Sequence, residues 1–153
     1  IAKARPGELF IVRNVANLVP PYQPDSHYHG TSAAIEFAIR DLKVQHVIVL
    51  GHSHCGGIQC LCDGHVGGES REFIEDWVSI VQEARDDSLE GTAQYRHVER
   101  EAVRISLRNL MTFPWLAERV AKGELTLHGW LFDLSAGNLL AHEENGNWTN
   151  LSG

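Results

Sequence analysis

The sequence predicts an α/β fold with a mainly parallel sheet flanked by helices, and three observations predict it. Val47-Ile48-Val49-Leu50 is an unbroken apolar run that stops at Gly51, the pattern of a strand buried on both faces of a parallel sheet. Apolar residues recur at helical spacing on either side of it, at Ile35, Ala38, Ile39 and Leu42 and again at Val98, Ala102, Ile105 and Leu110. Leu125, Leu127, Gly129 and Leu131 alternate with Thr126, His128, Trp130 and Phe132, which makes a strand with two unlike faces. Strands separated by helical segments in this order form a sheet with helical crossovers.

Each element follows from local chemistry. Leu9-Phe10-Ile11-Val12 is a β-branched and aromatic run after the turn pair Pro6-Gly7 and is expected to be a strand. Pro20, Pro21 and Pro24 force an extended connection. Thr31 or Ser32 can cap the helix that carries Ile35 to Leu42. A long helix is expected around Phe73, Ile74, Trp77, Val78 and Val81, with Glu75, Asp76, Glu83 and Arg85 spread around that core stripe. Another runs from near Tyr95 to Leu110. Pro114 suits the first turn of a short helix and Gly123 its end. Ser135-Ala136-Gly137-Asn138 is a turn, after which Leu139-Leu140-Ala141 returns as an edge strand.

The 153 residues contain no repeat, no low-complexity tract and no long linker, so residues 1–153 are expected to form a single domain. Apolar residues make up 43% and charged residues 22%, as in an ordinary globular protein. The net charge of −7 gives no electrostatic footprint for nucleic acid or anionic lipid, and no apolar run is long enough to span a bilayer as a helix. Neither nucleic acid nor membrane is expected as a partner. Asn147-Trp148-Thr149 and Asn150-Leu151-Ser152 match the glycosylation pattern but, with no visible signal peptide, are expected to be unmodified.

The chemistry concentrates where the apolar strand ends. Gly51-His52-Ser53-His54-Cys55-Gly56-Gly57 presents an imidazole and a thiol at the carboxyl end of a parallel strand, where α/β sheets place ligands. Both groups are good zinc ligands, and two intervening residues allow one turn to aim both at one ion. Gly56 and Gly57 remove side chains beside them, so a small substrate can approach. By spacing alone, a metal site and a tight strand-to-helix turn with a buried thiol are evenly matched. The three cysteines, Cys55, Cys60 and Cys62, are odd in number and crowded together, which disfavours a disulfide framework. Cys60, Cys62 and His65, with His54 nearby, match no common closed zinc module and are expected to be incidental.

Four segments shift that balance. Pro6-Gly-Glu-Leu-Phe-Ile-Val-Arg13-Asn14-Val-Ala16-Asn17, Gly30-Thr-Ser-Ala-Ala-Ile35-Glu36-Phe-Ala, the Gly51–Gly57 motif and Leu127-His128-Gly129-Trp130 resemble, in order and spacing, segments of the β-class carbonic anhydrases. The resemblance extends from residue 6 to about residue 142. It implies a zinc enzyme that reversibly hydrates carbon dioxide to bicarbonate, a carbonate dehydratase, working as a homodimer or higher homo-oligomer. It places His52 and Cys55 on two of the zinc ligands.

The family's third ligand is a cysteine in a Cys-x-Asp-x-Arg motif whose Asp and Arg form the catalytic dyad. No such motif occurs here, so no catalytic residue of that kind is assigned within the chain. The family pattern places the motif upstream of Ile1, on a strand that lies between two others, and the domain is expected to be N-terminally incomplete. A segment lost upstream, a strand supplied by a partner chain, or a degenerate relative without zinc would each account for this.

The resemblance also implies bicarbonate binding by an arginine matching Arg13, in an inhibitory pocket whose tyrosine is replaced here by Phe132. A structural ion pair of Arg13 with Glu36 is the plainer expectation. His128 and Trp130 are expected to pack at the sheet or a subunit contact. His27 and His29 suit proton transfer by their ordinary pKa. A zinc-free structural domain and a hydrolase of carbonyl sulfide or carbon disulfide are the rival readings. A cytoplasmic location is expected, with any targeting segment upstream of Ile1.

Overall fold

Residues 3–64 and 71–151 are described by the structure, a computed structural model. Four strands form one sheet in the order β1 (His46–His52), β2 (Thr126–Asp133), β3 (Asn138–His142), β4 (Trp148–Asn150). β1 and β2 run parallel, with Val49 opposite Gly129, Gly51 opposite Leu131 and His52 opposite Phe132. The two outer pairings are antiparallel. The expected parallel character therefore holds for β1 and β2, and the sheet as a whole is mixed. The reason is connection length: a short turn can join only antiparallel neighbours. One such turn, closed by the Gly137 N–H on the Asp133 carbonyl at 2.8 Å, joins β2 to β3. β3 is not the edge, because β4 pairs outside it. β4 is three residues long and carries no apolar alternation to announce it.

The helices are α1 (Gly30–Glu36, continuing as a wider turn over Phe37–Asp41), α2 (Gly56–Asp63), α3 (Ile74–Ser79), α4 (Gly91–Leu110) and α5 (Pro114–Ala121). α4 packs against β1 and β2 and feeds two apolar clusters. Val98, Ala102 and Ile105 meet Ile58, Leu61 and Val78 in one. Val103 and Leu110 meet Val49, Phe113, Leu116 and Leu125 in the other. Ser106 and Asn109 on the same helix hold the incoming chain. The Ser106 hydroxyl accepts from the Val19 N–H at 3.2 Å and donates to the Asn17 carbonyl at 3.1 Å, and Asn109 donates to the Val19 carbonyl at 2.8 Å. α5 begins at Pro114, and Gly123 follows it at φ 71°.

Five expectations differ from the structure. Leu9–Val12 forms no strand: it is irregular and exposed, with Ile11 at 69%. Its composition suits a strand, but a strand exists only with a ladder partner, and among the described residues β1 pairs with β2 alone. β1 is not buried on both faces, since Ile48 and Leu50 remain 41% and 39% exposed. Ile39 and α4 cover only the side of Val49. The long helix around Phe73 to Val81 is instead a six-residue α3 followed by a single 3₁₀ turn, Gln82–Ala84, and Phe73 is exposed. α4 starts a turn earlier than expected, at Gly91. Neither Thr31 nor Ser32 caps α1, which starts at Gly30.

Candidate metal centre

β1 delivers His52 to its carboxyl end, and the chain turns through Ser53 and His54 to Cys55, which immediately precedes α2. The turn is tied on two sides. Toward β2, the Ser53 N–H donates to the Phe132 carbonyl at 3.0 Å, and the Ser53 hydroxyl accepts from the Leu134 N–H at 2.8 Å. His54 Nε2 meets the Ser135 hydroxyl at 2.9 Å. Asp133 accepts from the N–H groups of Ser135 and Ala136, and those contacts hold its carboxyl below the usual range. Toward α4, the Cys55 N–H donates to Glu99 Oε1 at 3.0 Å. His54 sits at φ 59°, a left-handed conformation that a non-glycine residue adopts only where its surroundings impose it.

This geometry prepares donors. His52 Nδ1 lies 2.9 Å from the Ser53 carbonyl, which can only accept. The proton therefore sits on Nδ1, and the Nε2 lone pair is left for a metal, the usual arrangement of a ligating histidine. Cys55 is a free thiol at the N-terminus of α2, where the helix dipole favours negative charge. Imidazole nitrogen and thiolate sulfur together fit zinc. Among the described residues, however, no group of three or more His, Cys, Asp or Glu is arranged to hold a metal. Cys62 is buried in the apolar cluster with Ile58 and Leu61, and burial pushes its thiol and that of Cys60 up. His65 lies outside the described residues.

The two glycines differ. Gly56 faces open space. A β-carbon on Gly57 would sit 2.6 Å from Val15 Cγ1 and 3.2 Å from the Ala16 β-carbon, so this glycine accommodates the Val15–Asn17 turn. Ala16 and Asn17 in that turn both have positive φ, and the Asn14 side chain braces it by accepting the Leu18 N–H at 3.0 Å. Arg13 is exposed and does not pair with Glu36, which binds Arg40 one helical turn away at 2.6 Å. His128 and Trp130 lie on the uncovered face of the sheet, where His128 approaches His46 at 3.2 Å. His29 binds Asp25 at 2.7 Å.

Sequence reasoning missed Glu99, Ser53 and Asp133. A signal for Glu99 existed. It falls three, four and seven residues before Ala102, Val103 and Ser106, on a face otherwise apolar or buried, where a carboxylate needs a reason.

Residues 1–139 match the family model described as carbonic anhydrase. The chain belongs to the β-class carbonic anhydrases. This β-carbonic anhydrase chain is 41% identical over 135 residues to Beta carbonic anhydrase 5, chloroplastic, of Arabidopsis thaliana, covering 84% of the chain and 44% of the relative. It is 40% identical over 141 residues to Beta carbonic anhydrase 3 of the same plant, covering 86% and 54%. The β-carbonic anhydrase CcaA superposes with a TM-score of 0.83 at 30% identity, over 95% of this chain and 73% of that one. One of two tetrameric β-carbonic anhydrases from the ascomycete Sordaria macrospora superposes at 0.73 and 26% identity, over 97% and 71%. The chain thus spans about half the length of the curated relatives it matches. Among the described residues, no helix is long and apolar enough to cross a membrane.

Proposed function

We propose that this chain carries part of a zinc site for the reversible hydration of carbon dioxide to bicarbonate, with His52 Nε2 and Cys55 Sγ as two of its protein ligands. The observation that carries the reading is the pairing of a histidine whose Nδ1 is fixed on the Ser53 carbonyl with a thiol three residues on, at the mouth of α2. When bound, zinc supplies the Lewis acidity that lets water ionise near neutral pH. The chain's own residues do the rest of the work legible here. The Ser53 carbonyl orients the His52 ring, Glu99 and Ser53 hold the turn, and the bare Gly56 leaves room for a small linear substrate.

A catalytic zinc takes three protein ligands and keeps one position open, so the third must come from outside the described residues. An added strand would suit the edge of β1, which is unpaired among the described residues, and would bring that ligand and the catalytic acid–base groups. Arg13, exposed, is the candidate for bicarbonate. A homo-oligomer is proposed by analogy with the tetrameric relatives. Cytoplasm and organelle both remain open as locations, one relative being named chloroplastic.

The test measures zinc per chain after chelator washing and carbon dioxide hydration by stopped flow. It compares residues 1–153 with the same chain extended at its amino end by a relative's corresponding segment. The extended chain should hold about one zinc and turn over, and Cys55→Ser should abolish both. An extended, folded chain that binds no zinc, or binds it equally without His52 and Cys55, overturns the reading.

A further inference from the structure

Glu99 is 3% exposed, and its Oε1 accepts from the Cys55 backbone N–H at 3.0 Å. Among the described residues, no lysine or arginine forms an ion pair with it. Burial pushes its carboxyl up, and the backbone at Cys55 and then at His54 pulls it back down. A buried carboxylate without a cation is costly, and a neutral side chain would fill the same space more cheaply. Its hydrogen-bond partner is the amide of Cys55, in the turn that carries His52 and includes the left-handed His54.

We propose that Glu99 is the positioning residue of the metal centre: from behind, it fixes the backbone of His54 and Cys55 so that the Cys55 sulfur and the His52 Nε2 face the same point. The inference rests on the zinc reading above for its function, but the contact itself belongs to the metal-free chain. A carboxylate is acceptor-only and suits the Cys55 N–H donor. In Glu99→Gln the charge behind the turn is removed at nearly constant volume, and the neutral amide oxygen is a weaker acceptor for that N–H. In Glu99→Asp the charge stays but the carboxylate retracts by one carbon.

The experiment has two arms on folded protein, each variant checked first for wild-type circular dichroism. In the metal-free chain, amide hydrogen exchange at Cys55 should rise at least about tenfold in both variants, while β1 and the second turn of α2 keep their protection. Titrating cobalt(II) into the extended chain, with the thiolate-to-cobalt absorption as readout, should show about 10- to 100-fold weaker binding in Glu99→Gln, the usual cost of losing a partner behind a metal ligand. Wild-type exchange at the Cys55 amide in both variants, or wild-type cobalt affinity in Glu99→Gln, overturns the proposal. If the extended wild type binds no cobalt and no zinc, the zinc reading fails, and the exchange arm alone decides whether Glu99 holds the turn. A purely structural Glu99 would lower thermal stability in the metal-free state and leave the gain in melting temperature on adding metal unchanged. A smaller gain in Glu99→Gln marks positioning.

Discussion

The two faces of the β1–β2 pair are made from alternate residues of the same strands, yet they have opposite fates. On one face, Val49, Gly51, Gly129 and Leu131 are buried against α4. The packing there is so close that a β-carbon at Gly51 would fall 2.9 Å from Val103 Cγ2, and one at Gly129 2.8 Å from Leu107 Cδ1. On the other, Ile48 and Leu50 stand well exposed and His128, Trp130 and Phe132 are half-buried. Strand composition is apolar on both sides. What separates them is whether a helix arrives, and α4 arrives on one side only. The His52–Cys55 turn lies at the end of this pair and inherits the difference: Glu99 and Cys55 are buried, and His52 is exposed.

The largest expected effect breaks this contrast directly. Leu131→Ala on the packed face should cost about 2–5 kcal/mol in urea unfolding, and Leu50→Ala on the open face less than about 1 kcal/mol. Equal costs would mean that the open face is covered in solution. Gly51→Ala should come next, at about 1–3 kcal/mol, because the new methyl meets Val103 and Leu131 within 3.1 Å. Combining it with Leu131→Ala should cost less than the sum, since the second change removes one of the atoms that the first one strikes.

Ser53→Ala should follow at about 1–3 kcal/mol, since the Leu134 N–H loses its 2.8 Å acceptor. Loosening this side of the turn should also weaken zinc binding, which competition with a chromophoric chelator would read.

The smallest effect is a pH dependence on the open face. Burial, and then the neighbouring His46, hold His128 below its ordinary value of 6.5. The unfolded chain therefore takes up this proton more readily than the folded one, so His128 leaves stability intact above pH 6.5 and erodes it as pH falls below that value. His142, held down by burial and then by Arg104, acts in the same sense. His128→Gln should flatten part of the decline in urea midpoint between about pH 6.5 and 5 and leave the share of His142. An unchanged slope would remove His128 from the account.

Much of the fold was legible because it is periodic. The helical stripe Val98, Ala102, Ile105, Leu110 is buried as its spacing required, α5 begins at Pro114, and β2 alternates as the sequence alternates. Phe73 shows the limit: it extends an apolar stripe in sequence, yet α3 starts after it and leaves it exposed. His52 and Cys55 were singled out by family resemblance, whereas Ser53, Asp133 and Glu99 were not. Asp133 and Glu99 reach Ser53 and Cys55 across 80 and 44 residues of sequence, and no local pattern records such contacts.

The sequence by itself determined the periodic elements, the placing of an imidazole and a thiol after an apolar run, and the family. Those are properties of neighbours along the chain, set by backbone period and side-chain type. Only the tertiary structure decided that Leu9–Val12 is left without a ladder, that one face of β1 remains open, that Gly57 accommodates a neighbouring turn, and that a buried carboxylate stands behind Cys55. Each depends on which distant segment supplies a hydrogen-bond partner or a packing surface, and in this chain α4 supplies most of them.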